Sequence, residues 1–451
     1  MNTFNISLLA KHLLQKLYGF LNNEHGERVC KGITDDACDH VTRNYFLILL
    51  SSTFTKLGDT LSNPKTVLTW LMTYVNAPVS IISLIVPIRE SGSMLPQIAL
   101  TKYISKKPIR KWIWVIGSCL QFCAIASIGF IALYFKGAVA GWLILLAVVL
   151  FSLSRSMCSV TSKDVLGKSI PKTRRGKLKG YTVSVSGVLV LLAGLFILYK
   201  SKTDVSIEFY SYLVFFASIM WLLAAIAYSR IKEFPQTISE EKDKQDEEPP
   251  EGLLSKFKLL KENKQFRNFV IARSLLLCSA LTAPYYVVLA QNNVGKKSYL
   301  LGLFIIVNGI ASIISAPFWG KFSDKSSKNV MALAVLIASI LGIIAYFIIS
   351  FSTDLKSTIW IYPTAFFILG IAHGGVRLGR KTYIVDMATG NERTNYVAVS
   401  NTIIGLILLV TGGLSALVSL ISVEGVILVL SLFGVLGAYK SYKLPNVEKT
   451  D

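Results

Sequence analysis

The chain has 451 residues, of which 53% are hydrophobic and only 16% charged, and its mean hydropathy is +0.54. A soluble globular protein of this length carries a far more polar surface, so that class is excluded. The net charge of +21 raises the question of nucleic acid, but no base-stacking aromatic platform or nucleic-acid motif accompanies the basic residues.

The first forty residues lack a compact apolar core with a small-residue cleavage site, so no signal peptide is expected. Leu9, Leu13 and Leu17 share a helical face, with Lys11 and Lys16 off it. Segment 1–41 therefore reads as a cytoplasmic amphipathic helix, lying either on the membrane surface or as a cap on one end of a bundle. Cys30 and Cys38 flank "KGITDDA" near His40, at a spacing that matches no standard metal site. No metal or cofactor is expected. Cys119, Cys123, Cys158 and Cys278 lie in apolar stretches, as small core residues do.

Twelve apolar runs of about 20 residues follow, the length one membrane crossing needs. The first six are predicted over 43–61, 79–100, 112–135, 141–158, 180–199 and 210–228. The second six are predicted over 269–289, 299–319, 330–351, 360–377, 396–418 and 421–438. The runs are continuous rather than alternating, which argues against a β-barrel. The expected fold class is an all-α polytopic membrane protein, with twelve transmembrane helices in two six-helix bundles over 42–230 and 266–440. Between them, 231–265 reads as a cytoplasmic linker: an acidic stretch, "EFPQTISEEKDKQDEEPPEG", then an interfacial helix with Leu253, Phe257 and Leu260 on one face. Residues 441–451 form a cytoplasmic tail.

Charge placement predicts the orientation. One side holds Lys102, Lys106, Lys107, Arg110 and Lys111, the run from Lys163 to Lys179, and then Lys321, Lys325, Lys328, Arg380, Lys381 and Arg393. The other holds Lys65, Lys136, Lys200, Lys202, Lys296, Lys297 and Lys356. The positive-inside rule puts the first set, and both termini, in the cytoplasm. It also accounts for the basic balance without nucleic acid, and a plasma (inner) membrane location is expected.

The halves echo each other. "RNYF" opens the first and "RNFV" the second; Pro96 and Pro317 sit near the ends of the second and eighth spans. Two six-helix repeats joined by a linker are the architecture of many transporters, with the solute site at the midplane between them. At "GKFSDKSSKN" the sequence resembles the major facilitator superfamily: Gly320, Asp324, Lys325, Ser327 and Lys328 match the family's loop pattern, and Asn329 replaces its last basic residue. The resemblance implies a cytoplasmic gate made by Gly320, Asp324, Lys325 and Lys328. Gly320 would allow close helix approach or a tight turn. Asp324 would complement the N-terminus of the ninth span. The equivalent first-half loop departs from the pattern, with Ala99 and Tyr103 where Gly and Asp would align. The Pro-Gly pattern typical of drug exporters is absent from "YTVSVSGVLVLLAGLF".

Ionisable residues at membrane depth are costly and mark function by default. "SLIVPIRESGSMLPQIAL" places Arg89 and Glu90 inside the second span, between Pro87 and Pro96, which are expected to kink it. Glu90 and Asp59 are the candidate proton-coupling carboxylates. Arg89, Arg155, Arg273 and Gln97 are the candidate solute-binding residues; Arg273 and Arg377 lie nearer the cytoplasmic ends of their spans, and His373 is a possible relay. Adjacent helical residues point about 100° apart, so Arg89 can face the cavity while Glu90 pairs with Arg155, or the reverse. Alternatively these charges only tie helices together.

The expected function is secondary active transport of a small solute by alternating access, coupled to protons. The excess of basic over acidic candidates suggests an anionic solute. A transporter-shaped assembly factor or receptor is the competing reading. No enzyme is expected: the chain has no Gly-Lys-Ser/Thr nucleotide loop, metal-binding His-Glu-x-x-His or Gly-x-Ser-x-Gly elbow. The expected partners are the solute, protons and membrane lipids, with a monomeric chain.

Overall fold

The computed structural model describes residues 13–22, 33, 35–105, 107–200, 206–235, 259–297, 299–387 and 392–447. These residues fold into helices and connecting turns. Ten helices are long and apolar enough to cross a membrane. Two further crossings, at the start of the bundle, are each broken into successive helical segments.

The first crossing, α1, joins Val41–Leu61 to Val67–Tyr74 through a break at 62–66. Pro64 causes it, since it donates no backbone hydrogen bond and disfavours helical geometry in the residue before it. Asn63 Oδ1 accepts from the Lys65 amide at 2.8 Å, and Thr69 Oγ1 donates to the Pro64 carbonyl at 2.6 Å. The freed backbone groups are thus satisfied locally, as membrane depth requires. Lys65 therefore does not sit in an outer loop, as expected from the sequence, but at a bend within the first crossing.

The second crossing, α2, runs in three segments: Val79–Ile82, Ile85–Met94 and Gln97–Ser105. The breaks fall four residues before Pro87 and immediately at Pro96, where a missing amide leaves the helical ladder incomplete. The remaining crossings are α3 (Lys111–Tyr134), α4 (Gly137–Ser169), α5 (Lys172–Lys200), α6 (Ile207–Ser229), α7 (Lys264–Val294, with short interruptions), α8 (Tyr299–Ser323), α9 (Ser327–Phe351), α10 (Ile361–Met387), α11 (Glu392–Ser419) and α12 (Val423–Tyr442). Several extend well past their apolar runs: α4 continues eleven residues beyond Cys158, and α10 ten beyond Arg377. Polar helix ends project beyond the lipid and escape a hydropathy reading.

Packing repeats between the halves. In the first, α3 packs on α4 and α6, and α1 on α6; in the second, α9 packs on α10 and α12, and α7 on α12. The halves meet through α5 against α8 and α2 against α11. Small residues let these helices approach. A Cβ on Gly92 would come 2.7 Å from the Ser152 Cβ on α4, and one on Gly412 of α11 would overlap the Pro87 ring. Away from the basic loops the halves are also hydrogen-bonded. Lys296 Nζ donates to the Tyr74 carbonyl at 3.1 Å and to Asn76 Oδ1 at 2.8 Å, and Gln291 Nε2 to the Trp70 carbonyl at 3.3 Å.

On the basic side, Glu233 is the main anchor. Its carboxylate, buried just after α6, accepts from the Arg110 and Lys111 amides at 2.7–3.0 Å, at the start of α3. Asp164 binds Arg110 and, at 3.1 Å, Lys168. The helix over residues 13–22 ends on α5: Arg174 and Lys177 donate to the Asn22 carbonyl, and the Tyr181 hydroxyl to that of Leu21. Leu13, Leu17 and Phe20 stay exposed. Cys38 is disulfide-bonded, so its thiol is not free to bind a metal. Leu9, Lys11, Cys30 and nearly all of the acidic linker lie outside the described residues.

Candidate functional site

Three crossings bring their charges together inside the first half. Asp59 projects from α1, Arg89 from the middle segment of α2 and Arg155 from α4. Arg89 Nη2 donates to Asp59 Oδ1 at 2.9 Å, and Arg155 Nη2 donates to Asp59 Oδ2. One carboxylate thus holds two guanidinium groups, one on each oxygen. The arginines also lie over aromatic rings: Arg89 5.2 Å from the Phe151 centroid, Arg155 5.3 Å from that of Trp221. Such stacking suits a guanidinium, which is planar and weakly hydrated.

The Glu90–Arg155 pairing offered by the sequence does not form. Glu90 does not reach Arg155; it makes a 3.5 Å contact with Arg89 and is about a third exposed. Asp59, on α1, takes the place beside Arg155 that the sequence offered to Glu90. Gln97 is turned onto its own helix, donating to the Ser93 carbonyl at 2.8 Å. Arg273 is buried, with Nη1 donating to Ser400 Oγ at 2.6 Å and Nη2 to Asn401 Oδ1 at 2.9 Å. It ties α7 to α11 through neutral partners.

The residues that sequence reasoning missed lie between the halves. Lys65, at the α1 bend, places Nζ 3.1 Å from His373 Nε2 on α10. Around this contact is a small, partly open cleft of about 40 Å³. It is lined by Asn63, Lys65 and Thr66 of α1, Ser279 of α7, Asn308 of α8 and His373 of α10, over an apolar wall that includes Phe366 and Leu369. A few polar groups on an apolar wall is the usual composition of a small-molecule site. Lys65 lies in the electrostatic field of Glu90, Arg377, Arg380 and Arg89, so the cleft and the Asp59 cluster form one charged region. The signal for Lys65 was available in "NPKTVLTWLMTY": the apolar run resumes directly after the Asn-Pro turn.

The loop between α8 and α9 is arranged differently from the expected gate. A Cβ on Gly320 would meet no neighbouring atom, because the residue is still inside α8, so it serves no close approach here. Asp324 and Lys325 are exposed and form no ion pair among the described residues. Lys328 Nζ donates to the Leu444 carbonyl at 2.8 Å, and Ser326 Oγ to Asn446 Oδ1 at 3.1 Å. These bonds fasten the loop to the end of α12, in its own half.

Comparison with known proteins identifies the family. The Major Facilitator Superfamily model matches residues 48–412 and 300–449. The chain belongs to the Major Facilitator Superfamily. It is an integral, multi-pass membrane protein of the superfamily's fold. A D-xylose–proton symporter structure superposes with a TM-score of 0.68, at 16% identity over 90% of this chain and 100% of that one. A POT family transporter in complex with a thioalcohol-conjugated peptide gives 0.67, at 10% identity over 88% and 95%. The nucleoside transporter NupG gives 0.63, at 13% identity over 89% and 99%. Among curated relatives, Multidrug resistance protein MdtG of Escherichia fergusonii is 29% identical over 120 residues, covering 26% of this superfamily member. That alignment spans only 28% of the relative's own length.

Proposed function

We propose that the protein is a secondary active transporter that moves a small anionic solute by alternating access, coupled to protons. The observation that carries this reading is the Lys65–His373 contact. It joins the two halves at a polar cleft, where a solute can be reached from either side as the halves rock. The cations Lys65, Arg89 and Arg155 favour an anion. With Asp59 engaged by both arginines, Glu90, about a third exposed and in only a 3.5 Å contact with Arg89, is the carboxylate with lone pairs to spare in this charged region, and it is the assigned proton-coupling residue. The bonds at Lys296 and Gln291 close the end away from the basic loops, which corresponds to an inward-facing state if those loops are cytoplasmic, as the positive-inside rule puts them. On this reading both termini are cytoplasmic, and Gly320, Asp324, Lys325 and Lys328 form the gate only in the opposite state.

The test is solute-dependent proton flux in proteoliposomes containing the purified protein. An anion should drive flux in the wild type and not in Glu90→Gln. No flux with any solute across a broad panel would instead support the receptor or assembly-factor reading.

A further inference from the structure

We propose that the solute is an organic dianion, a dicarboxylate or a phosphate monoester, held between Lys65 and a basic rail on α10. This rests on the transporter reading above and narrows its substrate class.

The rail follows from helix geometry. His373, Arg377 and Arg380 occur at i, i+4 and i+7 in "HGGVRLGR", which places them on one face of α10. With a rise of 1.5 Å per residue, they span about 10 Å along the helix axis. The top of the rail is the cleft, where His373 meets Lys65. With the ammonium donating to Nε2, the ring hydrogen sits on Nδ1, and that atom is buried with no hydrogen-bond partner. A buried donor without an acceptor is costly, and an anionic oxygen in the cleft would satisfy it.

Charge balance favours more than one negative charge. Lys56, Lys65, Arg89, Arg155, Arg377 and Arg380 act on one another electrostatically, together with the carboxylates Asp59 and Glu90. Asp59 is already divided between Arg89 and Arg155. Glu90 contacts Arg89 and acts on both Lys65 and Arg380. Lys56, Lys65, Arg377 and Arg380 are thus left to share what remains of one carboxylate. The six cations and two carboxylates leave an excess of four positive charges; a monoanion reduces it to three and a dianion to two. Lys65 and Arg380 are partly buried while Arg377 is exposed; because removing cations from water without compensation is expensive, a doubly charged solute fits the two shielded cations better than a singly charged one.

Thermal unfolding of the purified full-length protein, with succinate, glycerol phosphate, butyrate, glycerol or choline added, tests this. Bound ligand raises the midpoint by mass action. Succinate or glycerol phosphate should raise it, and butyrate at equal concentration should bind at least tenfold more weakly; which dianion acts identifies the anionic group. Lys65→Gln and Arg377→Gln should each weaken the effective dianion about tenfold, while Lys440→Gln, exposed on α12, leaves it unchanged. Butyrate acting as strongly as either dianion would overturn the inference and leave anion transport standing. A response to choline or glycerol alone would overturn both. No response to either dianion in the wild type also overturns the inference, whatever the variants do.

Discussion

Asp59→Asn should destabilise the protein strongly, although it removes one charge and almost no volume. At about 3 Å and an effective dielectric near 20, each arginine gains roughly 5 kcal/mol from the carboxylate before desolvation is counted. Removing one partner from a buried ion pair typically costs 3–5 kcal/mol, because the other charge stays buried and unpaired. Here the side chains are 17–28% exposed, so water screens part of the loss, and about 2–3 kcal/mol is the expected net. The assay is the thermal midpoint of the purified protein, which should fall by several degrees. Adding Arg155→Gln to Asp59→Asn should recover part of that fall, since one fewer cation is then stranded. The resulting coupling should be about 1–3 kcal/mol. An unchanged midpoint in the single variant, or a double variant whose loss is the plain sum of the two, would refute the shared-carboxylate geometry.

Other consequences can be checked with similar means. Gly92→Ala should lower the midpoint by an amount equivalent to about 1–3 kcal/mol through its collision with Ser152, and adding Ser152→Gly should restore it. Glu233→Ala should cost about 2–3 kcal/mol, because the amides that start α3 and the Lys168 ammonium lose a charged acceptor; a loss no larger than that of an exposed control such as Glu262→Ala would count against its anchoring role. Replacing Lys296 and Asn76 by cysteines and joining them with a short thiol cross-linker should abolish transport, with reduction restoring it; unimpaired transport in the cross-linked protein would mean that end does not open. A cysteine at Lys136 should react from outside intact cells with a membrane-impermeant maleimide and one at Lys168 should not; the opposite pattern would invert the topology.

The sequence carried the architecture much further than the site. Continuous apolar runs identify ten of the crossings by length and composition alone, and all twelve predicted runs lie where the structure has helices. The ends were less legible, since α4 and α10 continue as polar helix beyond the lipid and hydropathy stops at its edge. Arg89, Arg155 and Asp59 were recognisable because charge is conspicuous in an apolar run. Their pairing was not, because it depends on how α1, α2 and α4 turn toward one another. Lys65 was lost for a local reason: Pro64 and a lysine together look like a loop, and only the resumed run Val67–Tyr74 shows that the crossing continues. Arg273 was recognisable as buried, but its neutral partners Ser400 and Asn401 are 127 and 128 residues away.

The bends in α1 and α2 bear on how the chain enters the membrane. These are the two crossings that fall outside the set recognised by length and hydropathy, and they carry Asp59, Lys65, Arg89 and Glu90. Insertion of a helix depends on its own apolar content, and each central charge counts heavily against it. The first hairpin is therefore a poor independent passenger. Asp59 can neutralise Arg89 as soon as both have been made, but the second guanidinium on that carboxylate arrives only with α4. A chain that stops short of α4 should leave its first two crossings weakly held, so the Asp59 cluster couples early insertion to the completion of the first four helices.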